Sequence, residues 1–141
     1  MPTTIDRWEA IARLRCTVRD ERREALAVCL QLESTLREEL VRLESGLREW
    51  QAEARLALAG TVDLRRLQNA RAGMAALNRQ YQQIQAQLTA ATGEVYAARQ
   101  SLLTADREVK VLERLQEKQQ TVEQAQQQRQ ETALLDEIAQ A

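Results

Sequence analysis

The clearest pattern along the chain lies in its second half. Apolar side chains recur at alternating steps of three and four from Leu67 and Ala70, through Leu77, Ile84, Leu88 and Val95, to Val109 and Leu112. Seven consecutive heptads carry no polar intruder at these a and d positions. A strict seven-residue repeat on a helix of 3.6 residues per turn imposes a left-handed supercoil, so this stripe must face a partner helix. The first half carries the same code with one fault. Ile11, Leu14, Val18, Glu21, Ala25, Val28 and Leu32 step by three and four, and so do the residues from Leu36 to Ala57. The step from Leu32 to Leu36 is four where three is due, which reads as a stutter. On this phase Glu21 falls at a core position and Trp8 lies beside the seam.

One break separates the halves, at Gly60-Thr61-Val62-Asp63. Glycine suits the left-handed conformation that ends a helix, and Thr61 or Asp63 can cap the next one. By the heptad lettering Gly46 and Gly73 fall at g and Gly93 at f, on or beside the exposed face. The expected architecture is all-α: a long antiparallel two-helix coiled-coil hairpin. It forms a single coiled-coil domain over residues 1–141, with a helix over about 5–58, a turn over about 59–63 and a helix over about 64–138. Centring the turn near residue 61 pairs positions whose numbers add to about 122 and sets Ile5 beside Glu117. The second helix then outruns the first from about residue 118 onward.

That overhang changes character. The clean heptad stops at Leu112, Leu115 is out of phase, and eight glutamines lie between Gln116 and Gln130 before Leu134, Leu135 and Ile138 restore an apolar cluster. A helix that loses its seam and then regains apolar residues is frayed alone or buried in a complex. Four acid-first pairs at i,i+4 (Glu9/Arg13, Glu33/Arg37, Glu38/Arg42 and Glu44/Arg48) support the helices by about 0.2–0.5 kcal/mol each.

Composition narrows the function. Ala, Leu, Arg and Glu supply 22, 20, 18 and 16 of the 141 residues, as in long helices. Twenty basic residues against 21 acidic ones offer no field for nucleic acid, which disfavours a nucleic-acid clamp. The arginines from Arg13 to Arg23 alternate with acids as a solvated face does. No apolar run approaches a membrane span and the first residues lack a signal-peptide pattern, so a cytoplasmic protein without direct membrane insertion is expected. Cys16 and Cys29, thirteen residues apart on one helix, cannot bridge within a chain. With no histidine, no metal-ligand set, no phosphate-binding loop and no nucleophile elbow, neither an enzyme nor a cofactor is expected. Trp50, near the turn with Leu64 and Leu67, either closes the core or forms part of a binding patch at the hairpin tip.

The segment Leu102 to Lys118, with Leu112-Glu113-Arg114-Leu115-Gln116-Glu117-Lys118 at its end, resembles the FliJ family of flagellar export proteins. Leu135-Asp136-Glu137-Ile138-Ala139 is similar to that family's closing residues, and Ile11-Ala12-Arg13-Leu14-Arg15 to its opening. Arg114 and Gln116 replace the family's more usual lysines, and Gln119-Gln120 stand where the family often has more basic residues. The resemblance implies a cytoplasmic component peripheral to the inner-membrane flagellar type III export apparatus. It would be a central-stalk-like coiled coil whose partners are a hexameric export ATPase, the membrane export gate and substrate chaperones. At the ATPase end, binding would fall to Trp8, Arg13, Glu113, Arg114, Lys118, Asp136 and Glu137; at the tip, to Trp50, Leu64 and Leu67. The stalk protein of an injectisome-type secretion system has a similar layout and is one alternative. A structural or adaptor coiled-coil dimer with no secretion role is another.

Overall fold

A computed structural model describes residues 4–141, with side chains from residue 7 onward, so the expected neighbourhood of Ile5 lies outside the described side chains. Two helices account for nearly all of it, α1 over Thr4–Leu58 and α2 over Leu64–Gln140. Their packing divides into two units: Glu24–Arg99, and Met1–Arg23 with Gln100–Ala141. In each, a stretch of α1 lies against a stretch of α2, and no strand occurs among the described residues.

Between the helices, Gly60 takes a φ of 66°, the left-handed region that a Cβ would disfavour. The Ala57 carbonyl accepts from the Asp63 N–H at 3.0 Å, which satisfies one acceptor left orphaned at the end of α1. Asp63, and not Thr61, caps α2: its Oδ1 accepts from the Arg66 N–H at 3.2 Å and its carbonyl from the Leu67 N–H at 3.0 Å.

Within Glu24–Arg99, the seam buries Leu36, Leu43 and Ala57 of α1 against Ala70, Ala91 and Val95 of α2. Removing a leucine side chain of this kind from water contributes about 1.5–3 kcal/mol. Alanine at successive d positions of α2 lets the helices approach closely. Glycine goes further: a Cβ at Gly73 would stand 2.3 to 2.7 Å from three ring atoms of Trp50, and one at Gly46 would meet Leu77 Cδ1 at 3.0 Å. Both glycines are half-buried against the partner helix, on the seam side of the g positions that their lettering gives them.

The expected stutter is absent. Half-buried and buried positions on α1 run through Leu26, Cys29, Glu33, Leu36, Leu40 and Leu43, an uninterrupted alternation of three and four that continues to Ala57. In the other unit the half-buried positions are Trp8, Ala12, Cys16, Val18 and Arg19, so the expected Val18 is partly covered there. Apart from Val18, the phase expected for the first third is one residue early. Ile11, Leu14, Val28 and Leu32 are exposed, as is Glu21, while Trp8 lies in the seam and not beside it. Chain continuity explains the outcome: the phase set by the apolar layers from Leu36 to Ala57 propagates without a local unwinding, even though it brings polar residues inward. Long side chains make this tolerable. The register sets Arg15 and Arg19 level with Val109 and Ala105, both buried, and an arginine stem can cover apolar surface while its head reaches outward.

Of the four expected i,i+4 pairs, Arg13 to Glu9 at 3.9 Å and Arg37 to Glu33 at 3.2 Å are present. Arg42 instead pairs with Glu39, and Glu44 accepts a hydrogen bond from the Tyr81 hydroxyl at 3.2 Å. Arg42 thus takes the acid three residues before it in place of Glu38, and Glu44 takes a partner across the seam.

The contact beneath Trp50 can be checked by substitution. Gly73→Ala should destabilise the protein by about 1–3 kcal/mol through overpacking, whereas Gly93→Ala, with nothing within 4 Å of the added methyl, should stabilise it by up to about 1 kcal/mol through helix propensity. Urea unfolding followed by circular dichroism measures both, and equal effects would show that the indole does not hold Gly73.

Candidate partner-binding ends

The unit of Met1–Arg23 and Gln100–Ala141 contains the end at which α1 begins. Its seam does not stop at Leu112. Gln116, Gln119 and Glu123 continue the steps of four, three and four and remain half-buried, while Leu115 turns outward. Trp8 sits over this polar continuation, and with Glu9, Gln116, Gln119, Gln120 and Glu123 it lines an open notch of about 160 Å³. An indole offers a large apolar face and one N–H donor, so flanking it with amides and carboxylates makes a surface that can take either kind of contact. The sequence signal for these neighbours was the heptad phase itself, carried past Leu112 by polar residues.

One ion pair ties the two helices together here, Arg15 Nη1 to Glu108 Oε2 at 2.8 Å, both about half exposed. Arg19 lies deeper. Its Nε is buried without a hydrogen-bond partner, and Asp20 at 3.5 Å satisfies the ion-pair distance but not hydrogen-bond geometry. The stem must be held by packing, since the charge gains little from that contact. Arg13, with a side chain 82% exposed, reaches only Glu9. Glu113, Arg114 and Lys118 lie exposed on α2 and form no ion pair among the described residues. Beyond Glu123 every residue of α2 is exposed, including Leu134, Leu135 and Ile138 at 60 to 65%, with Asp136 and Glu137 beside them. Trp8, Arg13, Glu113, Arg114 and Lys118 are thus drawn from the paired part of this unit, while Asp136 and Glu137 belong to the unpaired helix.

The turn end, in the other unit, differs from its expected composition. Leu67 is half-buried in the seam and Trp50 is half-buried on Gly73, so neither is a free apolar surface. Leu64 is exposed, and it is joined by Leu56, Leu58 and Val62, which sequence reasoning did not single out. Their exposure follows from the short turn: residues just before the end of α1 and just after it have no layer beyond them to pack on.

Across this turn Arg66 donates from Nε and Nη2 to the two carboxylate oxygens of Glu53, the Nη2 contact measuring 3.2 Å. A guanidinium bound through both arms fixes orientation as well as charge. The hydrogen bond from Arg66 lowers the Glu53 carboxyl below its ordinary range, and the same bond raises Arg66. Tyr81 is raised, chiefly because its hydroxyl donates to Glu44. Among the described residues there is no group of three histidine, cysteine, aspartate or glutamate side chains that could hold a metal, and no helix is long and apolar enough to cross a membrane.

A family model described as the flagellar FliJ protein matches residues 5–141. No curated protein and no solved structure matches the chain.

The Glu53 to Arg66 contact has a testable pH signature. Because the folded carboxyl is depressed, its contribution to stability is present above the unfolded pKa and is lost as pH falls through the folded one. Melting of the parent and of Glu53→Gln should differ at neutral pH and converge in acid, below the ordinary carboxylate range. A difference that stays constant across that range would assign the effect to packing.

Proposed function

The chain belongs to the FliJ family of flagellar proteins, and from that premise we propose that it is the central-stalk-like coiled coil of the flagellar type III export apparatus, engaging the hexameric export ATPase with the end that carries its termini. Membership makes it an export-related coiled-coil protein; the partner and the end are our reading. One observation supports it above the others. Helix α2 continues from Gln124 to Gln140 with every side chain exposed, yet it carries Leu134, Leu135 and Ile138. An isolated helix of this length is marginal in water, so a partner that covers the apolar cluster would supply what the chain does not.

In this reading Trp8 provides the apolar anchor, and Arg13, Arg114 and Lys118 the polar rim, with Glu113, Asp136 and Glu137 able to meet basic groups of the ring. Rim charges steer encounter more than they hold a complex, and a desolvated aromatic contributes more to its lifetime. The exposed Leu64, with Leu56, Leu58 and Val62, is the surface we assign to the membrane export gate, and the long outer faces of the helices are available to substrate chaperones. The near balance of charge, 20 basic against 21 acidic residues, gives no support to a nucleic-acid partner. The proposed place of action is the cytoplasmic side of the export apparatus, with no catalytic step assigned to this chain.

Ending the chain at Gln124 tests the reading cleanly, because every residue with a buried or half-buried side chain is retained. The shortened protein should keep its helical melting transition and lose most of its stimulation of the cognate export ATPase. Replacing Arg13, Arg114 and Lys118 together by Ala should lower the apparent affinity about tenfold at low salt and flatten its dependence on salt. Stimulation by the shortened chain equal to that of the full chain would remove the unpaired helix from the contact, and stimulation unchanged in the triple alanine variant as well would move the contact away from this end.

A further inference from the structure

Two heptad phases compete along the early part of α1. In the unit of Glu24–Arg99, the seam takes Leu26, Cys29 and Glu33, whereas Val28 and Leu32, at 70% and 46% exposure, face water. The carboxylate of Glu33 is drawn into this seam with its side chain only 12% exposed, and Arg37 at 3.2 Å is its ion-pair partner. The reverse arrangement would place Ala25, Val28 and Leu32 inside and release Glu33 to solvent, a gain in apolar burial and in relief of the carboxylate that is offset in part by the exchange of Leu26 for Ala25. The other unit, on the same helix, shows part of the same offset, with Val18 of the competing phase half-buried next to Arg19. There Leu14 is 62% exposed, while Arg19 occupies a seam position with its Nε buried and unbonded.

What favours the described phase is continuity with Leu36 and the layers that follow it. The competing phase requires one extra residue between Leu32 and Leu36, a stutter that unwinds the supercoil locally. Burial of aliphatic side chains and relief of polar burial therefore oppose the cost of a local phase break. These effects act at different places: the gain lies before residue 33, the cost between residues 32 and 36.

We propose that the segment from Glu24 to Leu32 has two alternative packings against α2, related by a rotation of about 100° about the axis of α1, the angle of one residue on a helix. In the described packing Cys29 and Glu33 face α2 and Val28 and Leu32 face out. In the second, Val28 and Leu32 face α2, Cys29 moves to the flank and Glu33 points to solvent. The link between Leu32 and Leu36 absorbs the change. The rotation exchanges an outward apolar surface for an outward polar one without altering helix content, so a ligand that covers Val28 and Leu32 would hold the first packing and disfavour the second.

Disulfide trapping in the full-length chain distinguishes the two, with Cys16→Ser throughout. Trp50 with Gly73, Gly46 with Leu77 and Glu44 with Tyr81 set partners whose numbers add to 123–125. That puts Val95, 4% exposed, level with Cys29, so Val95→Cys with the native Cys29 reports the described packing. Val28→Cys with Val95→Cys and Cys29→Ser reports the second. Ala27→Cys with the same two changes points away from α2 in both and serves as the control. Under mild oxidation the Val28→Cys pair should close within about tenfold of the rate of the Cys29 pair, and the Ala27→Cys pair at least about tenfold more slowly than that, since a bridge requires the two Cβ atoms to face each other. Adding Leu32→Glu, a change at an exposed site in the described packing, should slow closure of the Val28→Cys pair several-fold and leave the Cys29 pair unaffected. A Val28→Cys pair that stays reduced, an Ala27→Cys pair that closes equally fast, or closure of the Val28→Cys pair indifferent to Leu32→Glu would each overturn the proposal.

Discussion

Continuity of heptad phase is the constraint on which the other features depend. Once Leu36, Leu43 and Ala57 are committed to layers with α2, every earlier residue of α1 inherits its orientation from them unless the helix is locally unwound. The inheritance brings Cys29, Glu33, Arg15 and Arg19 toward α2 and turns Leu14 and Val28 to solvent. It also sets which small residues are needed where. The indole of Trp50 falls on α2 at Gly73, a position where even a methyl group would collide.

Much of this was legible in the sequence, and the errors of phase share one cause. The α2 seam from Leu67 to Leu112 carries only apolar side chains, so periodicity and continuity give the same answer there. On α1 before Leu36 they disagree. Counting apolar residues selects Ile11, Leu14, Val28 and Leu32, whereas the folded chain keeps the phase of Leu36 and tolerates polar residues with long stems. The same preference for apolar text ended the α2 seam at Leu112, although Gln116, Gln119 and Glu123 carry it on beneath Trp8. The role of Gly73 was hidden for a different reason: it depends on what stands opposite, and the heptad lettering of one helix does not contain that. Gly60 and Asp63, whose roles are local, were readable from their own chemistry.

The candidate binding ends show a similar division. That α2 outruns its partner follows from the position of the turn and the length of the chain, and the exposed helix beyond Glu123 agrees with it. The composition of the tip did not follow so simply, because Trp50 and Leu67 have partners across the seam while Leu56, Leu58, Val62 and Leu64 have none. What covers an apolar surface is not recorded in the packing of the chain that bears it. The family match extends over residues 5–141 and so includes both the paired and the unpaired parts of α2.

The tight connection at Gly60 has a kinetic consequence. Contacts between the helices grow steadily more distant in sequence away from it: Glu53 and Arg66 are 13 residues apart, Glu44 and Tyr81 are 37, and Arg15 and Glu108 are 93. Closing a loop costs entropy that rises with the logarithm of its length, so the cheapest nucleus lies beside the connection and each later layer closes a gap already shortened by the one before it. Folding is thereby directed as a zipper with a defined origin. Its last teeth are the polar layers around Arg15 and Trp8, so amide hydrogens there should exchange by local opening while those near Ala57 and Ala70 wait for global unfolding.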